Sequence, residues 1–206
     1  NDFYEDYFEL YVVNESLDNN KYGLIKDEDS SADFTLNIPS GDKLHVLQLT
    51  DTQMLNTAVL TRKDENDVTV TPGASAVMRY STKNAFYENC EYYIDKIIEK
   101  LEKANTLPQI IILTGDNSYG MFDDNGAMLD RLISKMDTVC EQYGIYWSFV
   151  FGNHDKESDI GIENVIRKYA NAKRCLYTYK NITGDSNMAI ALKQNGDYAE
   201  MLATVY

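Results

Sequence analysis

Apolar residues in this chain gather into three short runs separated by longer amphipathic stretches. Leu44–Thr50 (LHVLQLT), Gln109–Thr114 (QIIILT) and Ile145–Phe151 (IYWSFVF) are too short for helices and predict strands. The middle run is continuous, as expected of a parallel strand covered on both faces. Between the runs the period changes. Over Asn84–Ala104, Phe86, Cys90, Tyr93, Ile97 and Leu101 recur at three- and four-residue spacing, which predicts a helix with these residues as its core stripe. Asp124–Tyr143 predicts a second helix, with Leu129, Leu132, Ile133, Met136, Val139 and Cys140 inward. Asp159–Ala170 predicts a third, capped by Asp159. Leu176–Tyr206 alternates in strand fashion, and Asn195-Gly196 between two alternations signals a hairpin. The order β-α-β-α-β-α, followed by β-hairpins, predicts an α/β fold around a parallel sheet with right-handed crossovers.

The region before the first run is different. Residues 1–43 are acidic and Tyr-rich, with strand signals at Phe8–Val13 and Phe34–Ile38 around a solvated acidic loop at 27–33. This segment reads as the tail of a preceding module or an edge of the main domain, and 44–206 as the first part of that domain. The chain opens on Asn1 and closes on an apolar, strand-like run, Met201–Tyr206. The expectation is a piece of a longer polypeptide, with the rest of the domain C-terminal to Tyr206.

Composition narrows the function classes. The 206 residues carry 33 Asp and Glu against 19 Lys and Arg, a net charge of −14, which argues against non-specific binding to nucleic acid. No apolar run approaches the ~18 residues of a membrane span. Cys90, Cys140 and Cys175 are too few and too dispersed for a disulfide framework or a cysteine zinc site, and read as buried thiols. The acidic, Tyr-rich character favours a secreted or cell-surface setting. There are two histidines, His45 and His154, so no histidine cluster can be completed within these residues.

Chemistry enters where the strands end. The three runs finish in Asp51-Thr52-Gln53, Gly115-Asp116-Asn117 and Gly152-Asn153-His154-Asp155. Ligands of open α/β sheets bind at the carboxyl ends of strands. Oxygen and nitrogen donors of this kind suit Mn, Fe, Zn or Mg. His45 lies six residues before Asp51 on the same strand, some ~20 Å back at the usual rise, and is not a ligand of this edge.

These residues resemble the signature of calcineurin-like metallophosphoesterases, in which D-x-H, GD and GNHD each follow a strand. Gly115-Asp116 and Gly152-Asn153-His154-Asp155 match the second and third elements. The first is D-x-Q here, a form found in a branch related to purple acid phosphatases. The resemblance implies two divalent or trivalent metal ions, with Asp51, Gln53, Asp116 and Asn153 as ligands and Asp116 as the bridge. It implies that His154 contacts the phosphate and protonates the leaving group, and that Asp155 orients this histidine. The implied reaction is hydrolysis of a phosphoester by in-line displacement, the two metals clamping the attacking and leaving oxygens. Tyr119 fits the spacing of an iron-binding tyrosine but reads as an aromatic packed beside the site.

The departures point to a second reading. Gln53 offers a neutral amide where the family has imidazole, and the later histidine segments are absent up to Tyr206. The alternative is a non-enzymatic binding or structural module that retains a degenerate phosphoesterase fold. The 206 residues alone are expected to turn over little or no substrate. Neither of the common glycine-rich nucleotide-binding motifs sits at a strand–helix junction, which sets aside a βαβ nucleotide-binding domain.

Overall fold

The computed structural model describes residues 32–38, 44–56, 62–63, 66, 69–70, 86–179, 184–194 and 197–204. In chain order the elements are β1 (Phe34–Ile38), β2 (Val46–Leu49), β3 (Arg62–Lys63), β4 (Thr69–Val70), α1 (Phe86–Lys103), β5 (Ile110–Thr114), α2 (Ala127–Tyr143), β6 (Tyr146–Val150), α3 (Ile162–Ala170), β7 (Met188–Gln194) and β8 (Asp197–Thr204). They fall into two compact units, His45–Tyr179 and a second that joins Asn1–Leu44 to Lys180–Tyr206.

The first unit is built on a three-stranded parallel sheet in the order β2-β5-β6. The apolar run of β5 takes the centre, and Ile110 to Leu113 are all buried. A strand without a polar face needs cover on both sides, which only the middle position provides. The connections between these strands carry α1 and α2, the arrangement parallel pairing requires. α2 buries Met128, Leu129, Leu132, Met136, Val139 and Cys140, and ends where Gly144 adopts left-handed backbone and donates its amide to the Cys140 carbonyl.

α1 departs from the expected stripe. Ile94 and Ile98 are buried, whereas Tyr93 is 62 % exposed. Apolar residues occupy two adjacent stripes of this helix, about 100° apart. Packing selected the isoleucines, whose loss of water contact is complete, and left the tyrosine, with its polar hydroxyl, outward. Arg131 of α2 grips Glu91 of α1 with two bonds of 2.5 and 3.0 Å, a surface pair worth about 1 kcal/mol at most.

An aromatic cluster holds β6 to α3. Phe149 and Tyr169 stack with ring centres 3.7 Å apart, flanked by Trp147 and Tyr177. Trp147 donates its indole N–H to Asp137, whose carboxylate also accepts the Lys173 and Arg174 amides. α3 begins later than expected. Its N-cap is Gly161, not Asp159, because the chain makes a further turn closed by the Gly161 amide on the Ser158 carbonyl. The polar connection after β2 also contains a short antiparallel pair, β3 with β4, that its sequence pattern did not announce.

The second unit is a three-stranded sheet, β1-β7-β8. β1 runs parallel to β7, Phe34 facing Ile190, and Asp33 extends the pairing by exchanging backbone and side-chain bonds with Ala189. β7 and β8 are antiparallel up to Gln194 and Asp197, so two residues join them, as the Asn-Gly signal predicts. That linker and the strand expected at Phe8–Val13 lie outside the described residues. The mixed α/β architecture with parallel sheets is the fold class the pattern implied. Among the described residues no helix is long and apolar enough to cross a membrane.

Candidate functional site

All of the candidate residues lie in the first unit, at the carboxyl edge of its sheet. The ladder between β2 and β5 does not simply stop there. It breaks after Leu49 and Leu113 and resumes as an isolated bridge between Met54 and Ser118. In the interval the two chains remain tied. The Asp51 amide donates to the Gly115 carbonyl at 3.1 Å, and the Gln53 amide to the Asp116 carbonyl at 2.9 Å. The Thr52 hydroxyl donates to the Asn117 carbonyl at 2.7 Å. Asp51-Thr52-Gln53 and Gly115-Asp116-Asn117 therefore run side by side.

This route demands unusual backbone. Asp51, Gln53 and Asp116 have φ of +52°, +40° and +50°. Left-handed backbone is disfavoured for residues with a Cβ by roughly 1–2 kcal/mol each. Such strain persists where the surroundings enforce it, and it concentrates at functional sites. Three residues chosen from sequence as ligands share it.

The loop after β6 locks onto the same place. The His154 amide donates to Asp116 Oδ1 at 3.0 Å. Gly152 passes so close that a Cβ added to it would overlap Asp116 Oδ1 and its amide. Glycine is the residue that fits at 152. Asn153 is exposed at the tip of this turn, and Asp51 is exposed at the end of β2, while Gln53 is buried.

Asp155 is the internal anchor. Only 1 % exposed, it accepts the amides of Asn117, Ser118 and Gly152 at 2.9, 3.0 and 2.8 Å. Its carboxylate thus joins the β5 loop to the β6 loop. Burial pushes its pKa up to about 7, the three amides pull against that rise, and the charge of Asp116 adds to it. A further carboxylate, Glu157, absent from the sequence reading, reaches the His154 ring. Glu157 Oε2 lies 2.7 Å from His154 Nδ1. No motif spacing announced it, since the contact arises because residues three apart eclipse in a 3₁₀ turn and Asp155–Glu157 is one.

The surroundings complete the support. Tyr119 stacks on the His154 imidazole, ring centres 4.4 Å apart and planes 18° from parallel, in keeping with the packing role read for it. Ser158 donates to the buried Asp123, which also accepts the Gly126 amide, and burial raises the pKa of this second carboxyl too. The Gly120 amide donates to the His154 carbonyl at 3.1 Å. Asp123 therefore ties Ser158 to the turn that enters α2. From α1, the Cys90 thiol donates to the Thr52 carbonyl at 3.1 Å, and burial raises its pKa to about 12. His45 is at the opposite end, its backbone paired with Gln109.

The donor chemistry can be set against a metal. Two carboxylates and two side-chain amides present oxygen atoms of the type that hard divalent ions prefer. They fit such an ion as part of a ligand set. Among the described residues no three Asp, Glu, His or Cys side chains gather as a metal-holding group.

Comparison with known proteins gives the family. No curated protein matches the chain significantly. A model of the calcineurin-like phosphoesterase family matches residues 44–202, as a family and without singling out a branch. That span covers most of the chain and contains all three strand-end motifs, so the chain belongs to the calcineurin-like phosphoesterases, hydrolases acting on phosphoesters.

Proposed function

We propose that this protein hydrolyses a phosphoester at the carboxyl edge of the β2-β5-β6 sheet with the help of two metal ions. The observation that supports this most is the shared left-handed backbone of Asp51, Gln53 and Asp116, tied together at adjoining strand ends. Asp51, Gln53, Asp116 and Asn153 would hold the ions. Two ions take more donors than four side chains supply, so the reading includes further ligands outside this set. Ions at such a site supply Lewis acidity toward phosphoryl oxygens.

The chain's own groups have separate tasks in this reading. Asp116 keeps the His154 amide in place through Oδ1, which sets the histidine beside the site. The imidazole delivers a proton to the departing alkoxide or phenoxide. Asp155 acts by position, holding the Asn117, Ser118 and Gly152 amides so that both loops keep their course.

The test is an assay of the full-length protein on p-nitrophenyl phosphate and on bis(p-nitrophenyl) phosphate with added Mn²⁺. Asp116→Asn is expected to lower turnover of both esters by about 100-fold or more, and His154→Ala to do so on phenyl phosphate, assayed alongside, whose leaving group needs the proton. Unchanged turnover in both variants would remove the proposal. A second reading, a binding module that keeps the fold without catalysis, draws support from the neutral donor Gln53 and from the lack of a clustered acidic or histidine metal group among the described residues. Wild-type protein that binds no metal and turns over neither ester would favour it.

A further inference from the structure

We propose that Glu157 is the positioning residue of His154, fixing its imidazole with Nδ1 protonated and leaving Nε2 as the nitrogen that serves the leaving group. The inference rests on the phosphoesterase reading and names a part that the family motifs do not contain.

Four contacts carry it. A carboxylate accepts, so the 2.7 Å approach of Glu157 Oε2 to His154 Nδ1 places the proton on Nδ1. The two residues are held three apart by the 3₁₀ turn, whose Glu157 amide donates back to the His154 carbonyl at 3.1 Å. The stacked Tyr119 ring restrains the imidazole from tilting out of its plane. The next residue, Ser158, is fixed by its bond to buried Asp123, so Glu157 does not swing with a free loop. With the amide bonded to Asp116, one face covered and Nδ1 engaged, Nε2 is the remaining polar group of His154. Glu157 is itself only partly exposed, its side chain at 34 %. A carboxylate on the far nitrogen of a working imidazole sets both tautomer and orientation.

Two experiments separate this role from a structural one. In the first, the full-length protein with Mn²⁺ is assayed on phenyl phosphate and p-nitrophenyl phosphate. Phenolate leaves poorly without a proton, whereas p-nitrophenolate leaves readily. Glu157→Ala is expected to lower kcat on phenyl phosphate by about tenfold or more, with a much smaller loss on p-nitrophenyl phosphate. Glu157→Gln, which retains an acceptor oxygen, should recover most of that loss. Equal losses on the two esters would overturn the role. The second experiment needs no turnover. Long-range ¹H–¹⁵N correlation on histidine-labelled, metal-free protein at alkaline pH resolves the imidazole patterns, and the patterns lost in His154→Gln and in His45→Gln identify the two residues. The wild type should show Nδ1–H, and Glu157→Ala should move His154 toward Nε2–H while His45 stays. An unchanged His154 pattern would refute the pairing. A wild type silent on both esters, with the expected tautomer shift, would instead overturn the phosphoesterase reading beneath it.

Discussion

The two ends of the β2-β5-β6 sheet are made of similar polar residues and behave differently. At the amino edge, His45 and Gln109 continue the ordinary ladder. The His45 amide meets the Gln109 side chain at 2.6 Å, and the Gln109 amide meets the His45 carbonyl at 2.9 Å. Neither residue has left-handed backbone. At the carboxyl edge three residues do, one glycine is crowded against a carboxylate, and a nearly buried acid spans two loops. The paired residues at one end are relaxed, with left-handed backbone there falling on Asn105 and Gly144 in the turns before β5 and β6, and those at the other are themselves held under strain. Strain of this kind is stable only because Asp155 and the paired backbone amides over-determine the loops.

The largest expected effect is at the anchor. Asp155→Ala leaves three buried amides without their acceptor and should lower stability by about 3 kcal/mol, read from urea unfolding of the intact protein. Gln109→Ala at the relaxed end should lower it by less than about 1 kcal/mol. Comparable values would erase the contrast. Gly152→Ala comes next, since its methyl group must displace Asp116. A loss of about 1–3 kcal/mol is expected, with loss of turnover. Asp51→Gly tests strain in the other direction. The position is exposed and left-handed, so glycine should raise stability by up to about 1 kcal/mol while weakening Mn²⁺ binding by titration. A variant that is both less stable and unchanged in metal affinity would deny that strain is kept there for function.

The smallest effect lies away from both ends. Lys103 and then Lys96 beside Glu99 lower its pKa to about 2 from the ordinary 4.5. A depressed carboxylate stabilises the fold above its unfolded value, and this help fades as pH falls from about 4.5 toward 2. Because the cluster is fully exposed, Glu99→Gln should alter acid unfolding of the protein only slightly, and less still at high salt.

Much of this was legible in the chain. The three apolar runs, the Asn-Gly hairpin and the strand-end motifs follow from periods and turn chemistry, which act locally. What escaped reading depended on packing. Ile94 and Tyr93 are adjacent and both apolar in pattern, and only tertiary packing decided between them. Asp159 has the right chemistry for a cap, but Gly161 took the position because the chain turned once more. The place of Glu157 beside the His154 ring has a similar cause. Which carboxylate reaches an imidazole depends on a 3₁₀ turn that no motif spacing encodes.

The interlock of Gly152 with Asp116 has a consequence for how the site tolerates change. The space that a methyl group at 152 would need is occupied by the carboxylate of 116 and by its backbone amide. Trimming Asp116 to alanine removes the first obstacle and leaves the second, so Gly152→Ala should stay costly on an Asp116→Ala background, though less so than in the wild type. Damage at the two positions is shared in part, not simply summed. Mutational drift would couple residues 116 and 152, thirty-six positions apart in the chain, through backbone as well as side chain.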